Sequence, residues 1–148
     1  LILDKKPAIG IITVPAKKRF FYSYGMSHSY ELINGNEASL INKEKQYVGL
    51  TAVSYSSELK PEILKIHKEY KITSHQRMKS SLKFCVIAAG EFDMYAAEAR
   101  ACEWDIAAGH AILEHAGGRV RDFDDNEILY GKPGFKNPSL ILKSKNII

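Results

Sequence analysis

The residues with chemistry to offer are few and spread along the 148-residue chain. Asp105 stands near the head of the segment W-D-I-A-A-G-H-A-I-L-E-H-A-G-G, residues 104–118. An Asp at the start of a helix is favoured by the helix dipole and can cap free N–H groups. Small residues at 107, 108, 109 and 111 let a neighbour approach that helix closely. Spacing alone therefore reads as an N-terminal cap on a tightly packed helix. Residues 80–89 form a second helical run, with a capping-type Ser80 at its start and Gly90 at its end. Lys83 in that run reads, from pattern alone, as a solvated helix lysine. The histidines at 28, 67, 75, 110 and 115 show no metal-ligand spacing. His110 and His115 lie five apart, on different helix faces. Cys85 and Cys102 form no C-x-x-C pair, which argues against a zinc site.

The elements that must hold these residues follow from local pattern. Residues 8–14 (A-I-G-I-I-T-V) are apolar and β-branched between Pro7 and Pro15, and predict a buried strand. The aromatic residues 19–24 predict its hairpin partner, and residues 30–32 a short strand before the Asn34-Gly35 turn signal. This opening resembles an antiparallel meander. Residues 47–54 predict another strand. Pro61 suits a first helical turn, and Ile63, Leu64, Ile66, His67 and Tyr70 supply its apolar stripe. Residues 71–78 are a polar strand candidate, 92–95 are short and extended, and 102–116 give the clearest helix, stopped by Gly117-Gly118. Strands at 119–123 and 140–143 follow. Strands and helices alternate after residue 47, which favours a layered α/β domain.

Composition excludes several classes. With 45% hydrophobic and 26% charged residues the chain reads as an ordinary globular domain. No apolar run approaches the roughly 20 residues of a membrane span. The net charge of +4 is mild and its Lys and Arg residues are scattered, so no nucleic-acid partner is expected. Lys17-Lys18-Arg19 reads as a solvated turn between strands. The two cysteines suit a reducing, cytoplasmic setting, with Cys85 a buried small hydrophobe.

The 104–118 segment resembles the second signature of the inositol monophosphatase superfamily, in which the Asp after Trp binds a catalytic magnesium. The resemblance implies that Asp105 is a catalytic Mg2+ ligand. Residues 80–90, S-S-L-K-F-C-V-I-A-A-G, are similar to the G-S-S-L-K-F block of the 3'(2'),5'-bisphosphate nucleotidase (CysQ-like) branch, where Ser and Lys hold a substrate phosphate. This implies substrate-binding roles for Ser80 and Lys83, and a hydroxyl, a helix start and an ammonium suit a phosphate dianion. Residues 6–16 and Asn137-Pro138 extend the likeness over essentially the whole chain. It implies the layered α/β fold of the inositol monophosphatase and fructose-1,6-bisphosphatase enzymes. Residues 1–46 would be the end of an antiparallel sheet region and residues 47–148 the carboxyl-terminal α/β domain. The partner would be a small-molecule phosphate ester, and a homodimer is possible.

The departures are specific. The first signature, D-P-(I/L)-D-G-T, is absent and would precede Leu1. Since it carries most of the metal ligands, the expectation is a missing amino-terminal metal-binding half and no catalysis by this stretch alone, with a complementing half as a possible partner. Where nucleotidases carry S-R-S-H the chain reads Ser54-Tyr55-Ser56-Ser57. Lys79 replaces the Gly before the serine pair, and Tyr95-Ala96-Ala97 replaces Y-P-R. Glu98, seven residues before Asp105, matches the offset of a hydroxyl-binding Glu in inositol-selective members, and is otherwise a solvated loop carboxylate. The expected activity of the intact enzyme is hydrolysis of adenosine 3',5'-bisphosphate to AMP, with an inositol or sugar phosphate as the alternative substrate and a non-catalytic remnant as the alternative reading.

Overall fold

The structure, a computed structural model, describes residues 1–45 and 48–147. A small hairpin comes first: β1 (Ile2–Leu3) pairs with β2 (Lys6–Pro7) across Asp4 and Lys5, both at positive φ. An antiparallel meander follows, β3 (Gly10–Val14), β4 (Arg19–Gly25), β5 (His28–Ile33) and β6 (Asn36–Ser39), ordered β3-β4-β5-β6. Asn34 and Gly35 both adopt positive φ, as a tight hairpin turn requires.

Period-two alternation gives this sheet two unlike faces. Phe21, Ser23, Ser29 and Glu31 point inward and are buried. Phe20, Tyr22, Tyr24, His28 and Tyr30 lie on the other face, where Tyr22 stacks on Tyr30 at 5.3 Å and Tyr24 on His28 at 4.9 Å. The buried strand expected at 8–14 is corrected here. As an edge strand, β3 buries only one face, and Ile11 remains 58% exposed. The 17–19 turn is corrected in part: Lys17 and Lys18 are exposed, but Arg19 turns back to pair with Glu31 and Glu91.

The second sheet is built from β7 (Leu50–Ser54), β8 (Ile72–Arg77), β9 (Met94–Ala97), β10 (Arg119–Arg121) and β11 (Leu140–Lys143). Its order is β10-β11-β9-β7-β8, with β7 parallel to both neighbours and β11 antiparallel to β9. Tyr47, expected in the β7 strand, lies outside the described residues. Helix α1 (Pro61–Glu69) covers one face, packing Ile63 with Ala52, Met94, Ala96 and Ile141. Helices α2 (Leu82–Ala88) and α3 (Glu103–His115) cover the other, against Val53, Tyr95, Leu140 and Leu142. The inner face of the meander packs on the far side of α3. The layers therefore run α1, five-stranded sheet, α2 with α3, four-stranded sheet. All seven residues of α2 are buried between two sheets, which accounts for its apolar character all round.

Candidate active site

The chain leaves β7, crosses by α1 on one face to β8, then returns by α2 on the opposite face to β9 on the other side of β7. The strand order therefore reverses between β7 and β9. In open α/β sheets, ligands bind outside the carboxyl ends of strands at such a switch point. Here those ends deliver Tyr55 after β7 and Arg100 and Ala101 after β9. The starts of α2 and α3 deliver Lys79, Ser81, Lys83 and Asp105 to the same place, around a cavity of about 210 Å³. A second cavity of about 310 Å³ adjoins it and contains Ser56, Lys60 and Glu98, with Tyr55, Ala97 and Arg100 lining both.

Each expected residue has a definite position. Lys83 is only 8% exposed, so the solvated reading is set aside. Its Nζ lies 4.9 Å from the centre of the Tyr95 ring, and it forms no ion pair among the described residues. Burial, then the nearby Arg100, lower its pKa to about 8, with Asp105 opposing the shift. Asp105 is exposed in the cavity wall, and its Oδ2 accepts the Cys102 N–H at 2.8 Å. It thus caps α3 and still presents its other oxygen. Ser80 does not line the cavity. Its Oγ accepts the Leu82 N–H at 3.1 Å and shapes the turn that presents Ser81. Glu98 lines the adjoining cavity, ion-paired with Lys60.

The pattern reading missed Arg100 and took Tyr55 and Lys79 as losses. The Arg100 guanidinium carbon lies 3.3 Å from the centre of the Tyr55 ring, and Lys79 Nζ lies 5.2 Å from it. Hydrogen bonding and charge from Arg100, then the charge of Lys79, hold the Tyr55 phenol below its usual pKa. Lys79, Lys83 and Arg100 thus converge without a carboxylate ion pair among the described residues. Like charges placed together in this way favour an anion between them.

The residues present fit magnesium only in part. Asp105 is a hard oxygen donor of the right type. However, no group of three His, Cys, Asp or Glu side chains that could hold a metal comes together among the described residues. This set supplies one ligand, short of a complete site.

A sequence model of the inositol monophosphatase family matches residues 1–147. The chain belongs to the inositol monophosphatase family. Within that family it is 29% identical to the 3'(2'),5'-bisphosphate nucleotidase CysQ of Salmonella typhimurium over 139 residues, 93% of this chain and 55% of that protein. It is 32% identical to the CysQ of Shigella flexneri over 142 residues, with the same two shares. The crystal structure of CysQ from Bacteroides thetaiotaomicron superposes with a TM-score of 0.82 at 26% identity, covering 97% of this chain and 60% of that one. A Staphylococcal IMPase-II at 17% identity, with a TM-score of 0.75, covering 99% of this chain and 57% of that one, shares the fold. The chain thus spans about half the length of the CysQ relatives it matches. These likenesses support the CysQ-like branch and the mixed α/β fold expected from sequence. No helix among the described residues is long and apolar enough to cross a membrane.

Proposed function

We propose that this chain forms the phosphate-binding side of a magnesium-dependent phosphomonoester hydrolase. Its substrate is adenosine 3',5'-bisphosphate, and its products are AMP and inorganic phosphate. The observation that carries this reading is the convergence of Lys79, Lys83 and Arg100, free of carboxylate ion pairs among the described residues, on one cavity that also presents Asp105. In the reaction a water oxygen bonds to phosphorus, the ester P–O bond breaks, and the leaving ribose oxygen takes a proton. Lys83 and Ser81 bind and orient the phosphate, and Ser80 holds the turn that places them. The cations offset charge on the phosphoryl oxygens. Bound magnesium would activate water and stabilise the leaving oxygen, with Asp105 giving it one ligand. Glu98 and Lys60 in the adjoining cavity would meet the sugar hydroxyls. An inositol or sugar phosphate, which offers more hydroxyls to Glu98, is the alternative substrate.

The remaining ligands are proposed to come from a polypeptide equivalent to the part of CysQ that this chain does not match. The outward face of the meander offers it a surface. Ile9, Ile11, Phe20, Tyr22 and Tyr24, with Ser23, line a largely apolar groove there. Exposed apolar patches of this kind mark interaction sites.

The test is phosphate release in millimolar magnesium by this chain alone and after co-expression with the unmatched portion of the Salmonella CysQ. Release by the pair, absent with Asp105→Asn and absent from the chain alone, is the expected result. Release by the pair that survives Asp105→Asn would refute the ligand role. Faster turnover of inositol 1-phosphate than of the bisphosphate would reverse the substrate order. Failure of Ile11→Asp to weaken the pairing would remove the docking face.

A further inference from the structure

The wall between the two cavities is made by Tyr55 and Arg100 with Ala97. A guanidinium lying 3.3 Å from a ring centre is in stacking contact through its flat face. Arg100 also hydrogen-bonds the Tyr55 hydroxyl, and the N–H groups left at its edge can meet the oxygens of a phosphate. No carboxylate takes up this fork among the described residues. Tyr55 also has Lys79 against its ring, so one side chain gathers two cations at the partition. Lys83 is buried on the α2 side, beside Asp105, whereas Arg100 is exposed and faces both chambers. A ligand extending from one chamber to the other passes the Arg100 edge while its first anionic group is at Lys83.

We infer that Arg100, laid on Tyr55 at the shared wall, is the residue that selects substrates carrying a second phosphate, and that Tyr55 is its positioning residue. The inference rests on the phosphatase reading above and adds to it the device that distinguishes a bisphosphate from a monophosphate. The same geometry explains how the chain tolerates tyrosine at position 55. The ring supplies no charge itself, but it holds a charge borrowed from the loop after β9.

Calorimetric binding of adenosine 3',5'-bisphosphate and of adenosine 3'-monophosphate, which keeps the group placed at Lys83 and lacks the second phosphate, with EDTA present, tests this without needing turnover. The unaltered chain should bind the bisphosphate more tightly. Arg100→Ala should weaken bisphosphate binding about tenfold or more, the scale of a charge-assisted hydrogen bond, and weaken monophosphate binding by a clearly smaller factor. Arg100→Lys should fall between, because charge survives while the fork and stack are lost. Tyr55→Phe should keep the preference, and Tyr55→Ala should lose it as Arg100→Ala does. An unchanged ratio in Arg100→Ala, or an equal loss for both ligands, overturns the inference alone. Retained preference in Tyr55→Ala removes the positioning role. If the unaltered chain binds neither nucleotide, the phosphate site itself fails and this inference fails with it.

Discussion

Gly109 of α3 packs directly against the Phe84 ring of α2, and a Cβ at 109 would lie 2.5 Å from its Cγ. The contact sets the spacing of the two helices whose first turns carry Lys83 and Asp105. In an exposed helix, Gly→Ala stabilises by about 1 kcal/mol. Here the steric cost of overpacking, about 1–3 kcal/mol, opposes that gain. Gly109→Ala should therefore be destabilising, with a lower urea midpoint and weaker phosphate binding. Phe84→Leu in the same chain should recover much of the loss, since contacting residues are coupled. A raised midpoint in Gly109→Ala would show that α2 and α3 can separate freely.

Lys83 makes stability and binding depend on pH in a defined window. Its pKa is about 8 in the fold, against an ordinary value of 10.5. Between these values the unfolded chain holds more protons, so this group's contribution to stability rises with pH. Below pH 8 both states are protonated and the cost of burying the ammonium is fully present. Lys83→Met should therefore be more stable than the unaltered chain at pH 7, by about 1–3 kcal/mol. The difference should shrink as pH rises from 8 towards 10.5. Phosphate affinity should move the other way, falling above pH 8 as the ammonium is lost. Urea titrations and calorimetry at pH 7, 8.5 and 10 check both trends.

Much of the fold was legible because its signals are local. The Asn34-Gly35 turn, the Pro61 helix start, the Asp105 cap and the Gly117-Gly118 stop each depend on a few adjacent residues. The small residues of α3 correctly implied close approach, now by Phe84 and by Gly10, whose added Cβ would sit 2.2 Å from the Ala108 carbonyl oxygen. Strand β6 was missed because N-E-A-S has no apolar alternation and is held only by pairing with β5. The cation cluster was hidden for a different reason. Tyr55 and Arg100 meet because Ala52 pairs with Met94 and Val53 with Tyr95. Such distant pairing leaves no mark on local periodicity, so Lys79 and Tyr55 could be read only as departures.

Glu31 is the acid with most at stake in the fold. Its side chain is 0% exposed, held by Arg19 and by Lys43 Nζ at 2.6 Å. A buried charge is tolerated only while paired, and removing one partner commonly costs about 3–5 kcal/mol. Arg19→Met should lose somewhat less, about 2–4 kcal/mol, because Lys43 remains. Adding Glu31→Leu should restore most of it, by removing the charge left behind. Chemical denaturation of the two singles and the double gives the coupling directly. Additive losses would show that Lys43 alone satisfies Glu31.

Two histidines should make the chain labile to mild acid. His67 of α1 is buried with its Nε2 unpartnered, 5.9 Å from the His75 ring. Burial, then the His75 charge, lowers its pKa from the ordinary 6.5. Burial also lowers that of His115, whose Nδ1 accepts the Gly25 N–H at 3.2 Å and so must be unprotonated in this arrangement. For both, the unfolded state takes up protons first as pH falls through 6.5. Stability should therefore drop below that pH and be fully retained above it. A urea midpoint lower at pH 5.5 than at 7.5 is expected. His67→Leu, which places a side chain that does not titrate in the cavity lined by Leu59 and Ile72, should show a smaller drop, and adding His115→Asn should reduce it further. An equal drop in all three proteins would place the acid sensitivity in groups other than these two rings, and not in Glu114, whose pKa is held at about 2 against desolvation, by His110 and then Arg121, so that its contribution is lost only below its ordinary value of 4.5.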